Sequence, residues 1–357
     1  MPRTCRPDNA LSLSGADTIA MPIITIADTG VQYECPPDDT LTRAGLRAGL
    51  GMPYECNVGC CGTCKVELVA GEVDPLWVEA PALTDRDRGK HRVLGCQSRP
   101  KGDCTIKVRL DAVPADVPRP RRFRARLAAI RDLTHDLREF QFSGDGPASF
   151  LPGQYVLFSL PGVPGARAYS MANVPGVDGE WHFHVKRVPG GRCTETLFDL
   201  LHVADEVDLD GPYGQAYLRT DSPRDIVCIA GGSGLSPVIS ITRAAAREAR
   251  LADRAVHFFY GGRSPRDICG EDMLRELPGY GERIRYYPAI SNAEGDTGAA
   301  WQGRVGFIHE YAQEVLGERL ADYEYYFAGP PAMTTAVQRM LIRAKVPFSQ
   351  IHFDQFF

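Results

Sequence analysis

The sequence predicts three consecutive domains, two of them rich in β-strands and the third built from alternating strands and helices. The chain has 357 residues, of which 44% are hydrophobic, and this is enough for two or three packed cores. Short β-rich runs punctuated by glycine and proline fill the first two thirds, and strand–helix alternation begins near residue 224. The predicted fold class is therefore multidomain α+β and α/β, with a small β-rich domain, an antiparallel β-barrel and a doubly wound parallel sheet.

Composition excludes several functional classes. The formal net charge of −5 gives no general attraction to nucleic acid or to an anionic membrane, so we expect neither as a partner. No apolar run approaches the roughly 18 residues that a membrane-spanning helix needs. Residues 1–22 lack the continuous apolar run of a signal peptide, so we predict a disordered extension in which Met21 is an alternative start. A cytoplasmic location is the resulting expectation.

Residues 23–110 form the first predicted domain. The strand candidates are residues 23–27, 31–35, 65–69 and 104–110. Between them, residues 40–50 predict a helix with Thr40 as its N-cap and with Leu41 and Ala44 on its apolar face. Residues 111–122 are rich in proline and arginine, which predicts a stiff linker that few contacts between the flanking domains should cross.

The eleven cysteines are an odd number, which argues against a disulfide framework. Three of them, Cys56, Cys61 and Cys64, have the spacing Cys-x4-Cys-x2-Cys, and Cys96 lies downstream. This is the plant-type [2Fe–2S] pattern, in which four thiolates hold two irons. Cys60 breaks the spacing, and we expect it not to be a ligand.

Zinc is the alternative metal for these cysteines. Structural zinc sites usually take two separated cysteine pairs or a mixture of cysteine and histidine. Only one Cys-x2-Cys pair is present here, and zinc would leave Cys56 without a role. With its glycines, which permit close approach of the backbone, the loop resembles that of plant-type ferredoxins. The resemblance covers residues 23–110 and implies a β-grasp fold.

Three motifs in residues 123–220 resemble the flavin-binding segments of the ferredoxin–NADP reductase superfamily. The first is Arg-x-Tyr-Ser at residues 167–170. The second runs from His-Val-Lys-Arg at 184–187 into the glycine pair at 190–191, with Thr194 where the family usually has serine. Gly-Pro-Tyr-Gly at 211–214 is the third. A glycine-led helix start can bind phosphate through its free N–H groups, and the resemblance implies a β-barrel that binds flavin.

The resemblance also implies roles for individual residues. Arg167 would offer its guanidinium to the FAD pyrophosphate, Tyr169 its ring to the isoalloxazine, and Ser170 its hydroxyl to the reactive flavin nitrogen. The remaining candidates on this domain are His184, Lys186, Gly191, Arg192 and Thr194. FAD is favoured over FMN because FMN-binding relatives usually carry their ferredoxin domain at the C-terminus.

Residues 221–357 form the predicted nucleotide-binding domain. Its strand candidates are residues 226–230, 255–260, 283–290, 324–328 and 351–353, and its helix candidates are 237–249, 307–316 and 333–344. The first strand leads into Gly-Gly-Ser-Gly-Leu-Ser-Pro at 231–237. A Rossmann fingerprint would have glycine where Pro237 stands, so the segment resembles the reductase superfamily instead. Glycines at a helix start admit a phosphate in both cases.

The candidate nucleotide-binding residues lie at the ends of these strands. They are Gly232, Ser233, Gly234, Arg263, Gly329, Pro330 and Met333. Asp267, Glu271 and Asp272 would repel a 2′-phosphate whereas Arg263 would attract one, and we expect NADH. Near the C-terminus, the family often places an acidic and an aromatic residue beside the flavin. Phe356 is the candidate, with Phe357 as its rival, and the predicted catalytic set is Ser170, Tyr169 and Phe356.

The domain order resembles that of reductase components of bacterial multicomponent oxygenases, most closely those of toluene-type aromatic monooxygenases. The resemblance implies electron transfer from NADH through FAD and a [2Fe–2S] cluster to a Rieske-type ferredoxin or di-iron hydroxylase. A flavin suits the middle position because it accepts a hydride and releases electrons singly. Two alternatives remain, namely the reductase of an aromatic-ring-hydroxylating dioxygenase and a redox-sensing module without turnover.

Overall fold

The computed structural model describes residues 21–292 and 301–356, which form three domains, each built around its own sheet. Most of the predicted N-terminal extension, residues 1–20, lies outside this part. Pro22 is buried, and its carbonyl accepts a hydrogen bond from the backbone N–H of Cys35 over 2.9 Å. The ordered chain therefore includes a residue that we had assigned to the extension.

The N-terminal domain is a five-stranded sheet covered by one helix. Its elements are β1 (Ile23–Ile26), β2 (Gln32–Glu34), α1 (Leu41–Arg47), β3 (Lys65–Ala70), β4 (Val73–Pro75), α2 (Asp85–Arg88), β5 (Arg92–Leu94), β6 (Ser98–Pro100) and β7 (Cys104–Lys107). The strand order is β2-β1-β7-β3-β5, and β4 pairs with β6 separately. The Thr40 hydroxyl caps α1 by accepting from the N–H of Arg43. Leu41 and Ala44 face the core, as the apolar pattern predicts.

The second domain is an antiparallel barrel. Its elements are β8 (Arg121–Asp132), β9 (Leu137–Gly144), β10 (Tyr155–Ser159), β11 (Arg167–Ser170), β12 (Glu180–Lys186), α3 (Arg192–Glu195) and β13 (Glu206–Tyr213). The strand order is β11-β10-β13-β8-β9-β12. A bridge between Met171 and Phe183 joins the two outer strands and closes the sheet. Buried rings, among them Phe140, Phe158 and Trp181, fill the interior.

The third domain is a parallel sheet with helices on both faces. Its elements are β14 (Asp225–Gly231), α4 (Leu235–Arg247), β15 (Val256–Gly262), α5 (Glu271–Arg275), β16 (Ile284–Ile290), β17 (Arg304–Val305), α6 (Ile308–Leu316), β18 (Tyr323–Gly329), α7 (Pro331–Arg343) and β19 (Ile351–Gln355). The strand order is β17-β16-β15-β14-β18-β19. Two hydrophobic clusters flank the sheet, one under α4 and α5 and the other under α6 and α7. The predicted doubly wound sheet is confirmed.

The N-terminal domain and the barrel share a hydrophobic cluster, which contradicts the expectation that few contacts cross the linker. Tyr54 of the N-terminal domain packs there with Tyr155, Leu157 and Tyr213 of the barrel. Proline-rich composition indicates the stiffness of a linker, but it carries no information about the apolar surfaces of the domains on either side. The linker is also shorter than predicted, because β8 already begins at Arg121.

The linker is fixed to the N-terminal domain where it begins. The N–H of Asp111 donates to the carbonyl of Gly51 over 2.8 Å. A Cβ at Gly51 would lie 1.9 Å from the carbonyl oxygen of Asp111, so this contact requires glycine. The linker therefore leaves the domain in a defined direction.

Candidate functional site

One cavity of about 1510 Å³ lies where the three domains meet. Glu55, Cys56, Cys60 and Cys61 line it from the N-terminal domain. Most of the predicted flavin and nucleotide residues line it from the other two: Arg167, Tyr169, Ser170, His184, Lys186, Gly191, Arg192, Thr194, Gly232, Ser233, Arg263, Pro330, Met333 and Phe356. Residues predicted from three separate motifs therefore surround one space.

Of the predicted flavin and nucleotide residues, Gly234 and Gly329 do not line the cavity. A Cβ at Gly234 would lie 1.9 Å from the carbonyl oxygen of Ala328. Gly329 has a φ of +150°, and a Cβ there would lie 3.0 Å from the carbonyl oxygen of Gly231. These glycines allow the turn after β14 to contact the turn after β18. They therefore support the cavity wall without facing the cavity.

The four predicted cluster ligands form two pairs. The Sγ atoms of Cys64 and Cys96 are 3.2 Å apart, and the N–H of Cys61 donates to the Sγ of Cys56 over 3.4 Å. The neighbouring Cys56 thiol lowers the pKa of Cys61. The thiol of Cys60 instead reaches the carbonyl of Val58, at 4.0 Å.

The surroundings of the thiols fit an anionic iron–sulfur group. Among the described residues, the buried side-chain nitrogen and oxygen of Asn57 and the Nε of Arg43 have no hydrogen-bond partner. The amide of Gln97 donates toward the Sγ of Cys96, at 3.8 Å. Unused donors next to four paired thiols are what the sulfurs of a cluster require, because hydrogen bonds to sulfur tune its potential.

The flavin side of the cavity presents a cation that no carboxylate within the described ranges neutralises. The Arg167 guanidinium donates only to the carbonyls of Pro164 and Ala166. The Tyr169 hydroxyl lies 3.2 Å from the Sγ of Cys193, and burial raises the pKa of Tyr169 well above its usual value. A free guanidinium and a neutral buried phenol match the needs of a diphosphate and a flavin ring, respectively.

The glycine pair at 190–191 begins the short helix α3, as expected. The Thr194 hydroxyl accepts from the N–H of Val188 over 3.1 Å and lies 3.0 Å from the carbonyl of Gly191. Its hydrogen bonds therefore shape the loop. A five-residue π-helical turn, Thr196–Leu200, follows α3 directly.

Lys186 lies among acidic groups at the mouth of the cavity. Its ammonium is 2.7 Å from a carboxylate oxygen of Asp136 and 3.9 Å from one of Asp267. His135, Asp136 and Asp267 offer ligand atoms that lie within 4.8 Å of one another. Because the ammonium already supplies a cation there, we interpret the group as an ion-pair network and assign no metal to it.

Ser236 is a site residue that the motif analysis missed. Its hydroxyl donates to the carbonyl of Ser170 over 2.7 Å and accepts from the N–H of His184 over 3.1 Å. It occupies a variable position of the glycine-rich motif, so no sequence signal marked it. His184 is buried beside Glu139, and burial lowers the pKa of His184.

Asp267 and Glu271, two of the three acidic residues expected to repel a 2′-phosphate, make contacts within the protein. Asp267 accepts from the backbone N–H groups of Arg263 and Ser264, and Glu271 pairs with Arg275 and the hydroxyl of Tyr280. The hydrogen bonds of Asp267 therefore shape the loop after β15.

Asp354 is a second residue whose environment the sequence did not reveal. Burial, with a smaller contribution from the charge of Glu55, raises the pKa of Asp354 to about 7. One of its carboxylate oxygens is buried without a partner in the part of the chain that the structure describes. Phe356, two residues on, lines the cavity, whereas its rival Phe357 lies outside the described residues.

Three family profiles match the chain in the order of the three domains. They are a 2Fe-2S iron-sulfur cluster binding domain at residues 24–101, an oxidoreductase FAD-binding domain at 124–217 and an oxidoreductase NAD-binding domain at 228–339. The ferredoxin–NAD(P)+ reductase CarAd of Metapseudomonas resinovorans is 41% identical over 90% of this chain and 96% of its own. The chain belongs to the ferredoxin–NAD(P)+ reductases of multicomponent oxygenases.

Other members of the family match over similar lengths. The phenol 2-monooxygenase reductase component DmpP of Pseudomonas sp. (strain CF600) is 34% identical, over 94% of each chain. The solved ferredoxin reductase in carbazole 1,9a-dioxygenase is 40% identical with a TM-score of 0.86, over 94% of this chain and 98% of that one. The predicted fold, enzyme class and cofactors FAD, [2Fe–2S] and NAD are confirmed. Within residues 21–292 and 301–356, the reductase has no helix long and apolar enough to cross a bilayer.

Proposed function

We propose that this reductase takes hydride from NADH at the FAD site and delivers single electrons from its [2Fe–2S] cluster to a Rieske-type ferredoxin or a di-iron hydroxylase. One observation carries the proposal. The cluster-loop residues Cys56 and Cys61 line the same cavity as the flavin candidate Ser170 and the nucleotide candidate Ser233. Three cofactors bound around one space exchange electrons without a diffusing intermediary.

Bound FAD supplies the conversion of a hydride into single electrons, and the residues of the chain bind and orient it. Arg167 would form a charge-assisted fork with the diphosphate. Ser170 would present its hydroxyl to the ring, and Ser236 holds the Ser170 backbone in place. Phe356, held by a hydrogen bond from its N–H to the carbonyl of Gly329, would shield the ring from water.

NADH is the proposed donor, bound by the turn after β14. Gly232 has a positive φ of 57°, and helix α4 begins directly after the turn. Backbone N–H groups of this turn would donate hydrogen bonds to the diphosphate. Pro330 and Met333, at the start of α7, approach from the adjacent strand end.

The oxygenase partner is proposed from the named relatives. They include reductase components of phenol, alkene and xylene/toluene monooxygenases, which supports a monooxygenase of aromatic hydrocarbon catabolism. A ring-hydroxylating dioxygenase is the second candidate. It is favoured by the 40% identity and TM-score of 0.86 to the reductase of carbazole 1,9a-dioxygenase.

A redox-sensing role without turnover is the alternative from another class. The continuous cavity favours turnover, because a sensor has no need for a nucleotide donor beside a one-electron exit.

We also infer a cytoplasmic location. In the described ranges, the six cysteines outside the proposed cluster form no disulfide, as is usual in a reducing compartment.

The decisive experiment measures two acceptors with the full-length protein. NADH should drive fast reduction of both ferricyanide and cytochrome c. Cys96→Ser, which removes a ligand of the cluster, should keep ferricyanide reduction and lose most cytochrome c reduction. Equal rates with both acceptors in that variant would show that electrons leave from the flavin. Binding of NADH without reduction of either acceptor would favour the sensor.

A further inference from the structure

A band of polar contacts joins the N-terminal domain to the barrel beside the cavity, and two of its residues, Glu55 and Tyr155, also line the cavity. We call it the docking seam. It consists of Arg47, Tyr54 and Glu55 on the N-terminal domain and of Tyr155, Asp210 and Gly214 on the barrel. None of its contacts belongs to the linker.

The strongest contact of the seam is an arginine–carboxylate fork. The two terminal nitrogens of Arg47, at the end of α1, lie 2.7 and 2.9 Å from the two carboxylate oxygens of Asp210 on β13. The Nε of Arg47 also contacts Asp39 at 2.8 Å, and the Tyr213 hydroxyl donates to Asp210 over 2.8 Å. Asp210 is only 8% exposed. Bidentate pairs of this kind fix orientation as well as distance.

Two tyrosines form further hydrogen bonds between the cluster-loop region and the barrel. The N–H of Gly214 donates to the hydroxyl oxygen of Tyr54 over 3.0 Å. The Tyr155 hydroxyl donates to the carbonyl of Glu55, the residue before the ligand Cys56. Tyr155 also lines the cavity. The seam therefore connects the wall of the flavin site to the backbone of the cluster loop.

We propose that Arg47 and Asp210 are positioning residues for the electron transfer from flavin to cluster. The proposal deepens the function proposed above and rests on it. The linker keeps the two domains at a high effective concentration and sets the direction in which it leaves the N-terminal domain, but the contacts that fix how the two domain surfaces face each other belong to the seam. Electron transfer between centres weakens steeply with their separation, so an oriented docked arrangement sets its rate. The fork supplies that orientation.

Asp210→Asn is the variant that tests this. It keeps the shape of the side chain and removes its charge, and Asp210 does not line the cavity. The matched control is Asp208→Asn on the same strand, because exposed Asp208 pairs with exposed Arg124 and does not touch the N-terminal domain. Tyr54→Phe is a second, independent variant of the seam, in case Asp210→Asn lowers the yield of folded protein.

The full-length proteins, loaded with both cofactors, are mixed with NADH in a stopped-flow instrument. We expect Asp210→Asn to keep the rate of flavin reduction and to slow the following cluster bleaching about tenfold, because loss of the fork lowers the docked population. Small-angle scattering should show a larger radius of gyration. Tyr54→Phe should change both quantities in the same direction, and Asp208→Asn should change neither.

Unchanged cluster bleaching together with an unchanged radius of gyration in both seam variants would overturn the proposal. The failure of the proposed function would look different, because the wild-type cluster would then not be reduced by NADH at all. Slower flavin reduction in Asp210→Asn would also count against the proposal, since it would assign the residue to the flavin site.

Discussion

The hydroxyl of Ser236 lies 2.7 Å from the carbonyl oxygen of Ser170 and 3.1 Å from the backbone nitrogen of His184. Ser236 belongs to helix α4 of the nucleotide domain, whereas the other two residues belong to strands β11 and β12 of the barrel. One side chain thus ties the start of the nucleotide-binding helix to the two strands that carry flavin candidates. Hydride transfer requires these two domains to keep a fixed relation, and Ser236 contributes to it.

Ser236→Ala tests this link. The variant leaves one buried N–H and one buried carbonyl unpaired, and we expect it to cost about 1–3 kcal/mol of unfolding free energy. It should also slow flavin reduction by NADH, because Ser170 is held less firmly. Urea denaturation and stopped-flow absorbance measure the two effects. Ser240→Ala, which loses a single hydrogen bond to the carbonyl of Asn173, should cost less; equal costs would contradict a special role for Ser236.

Substituting the cysteines one at a time tests the cluster assignment. Serine at Cys56, Cys61, Cys64 or Cys96 should abolish the cluster, whereas Cys60→Ser should keep about two irons and two sulfides per chain. Iron and sulfide analysis and the visible spectrum give the answer. Loss of the cluster in Cys60→Ser, or a zinc content that rises at the expense of iron, would be incompatible with the assignment.

Arg167→Ala tests the flavin site. Loss of a charge-assisted fork to the diphosphate should weaken FAD binding about 10- to 100-fold, which fluorescence titration of the flavin-depleted full-length protein measures. Arg124→Ala removes another exposed arginine of the barrel, one that does not line the cavity, and it should leave the affinity unchanged. If both variants bind FAD as the wild type does, the diphosphate lies elsewhere.

Asp354 predicts a pH dependence of stability. Burial raises its pKa to about 7, so the folded protein binds this proton more tightly than the unfolded chain does. The resulting stabilisation is complete below about pH 4 and is lost as the pH rises through 7. Between pH 6 and 8 the wild type should lose about 1 kcal/mol from this group, and Asp354→Asn should show a correspondingly flatter profile in urea denaturation. An identical slope in the two proteins would show that the carboxylate is solvated.

The elements of the nucleotide domain could be predicted from sequence because each is a long apolar run with its own period. Strand β14 and helix α4 agree with the predicted residues to within two positions. Short elements such as α5 and β17 were missed. Helix α5 has five residues and strand β17 has two, which is too few to show a period of apolar residues. Pairing along a sheet, rather than local sequence, stabilises them.

The residues of the candidate site also fall into two groups, those that the sequence could predict and those that it could not. Residues that lie in glycine-rich or cysteine motifs could be identified, since the chemistry of phosphate or iron restricts the residue types there. Ser236 and the Arg47–Asp210 fork could not, because each depends on a partner distant in the chain. The raised pKa of Asp354 could not be predicted either, because it depends on burial in the folded protein. Asp210 is 163 positions from Arg47. Only folding brings such pairs together.

The contact between Gly51 and Asp111 has a consequence for protein engineering. The loop at residues 49–51 packs against both ends of the linker, because Gly51 contacts Asp111 and Gly49 contacts Arg119. No side chain fits at Gly51, so the loop and the linker must be kept together. A chimera that exchanges the N-terminal domain with that of a relative should therefore join the chains at Arg121, after the linker. A junction at residue 110 would pair the transplanted loop with a foreign linker. The contacts that set the direction of the linker would then be lost.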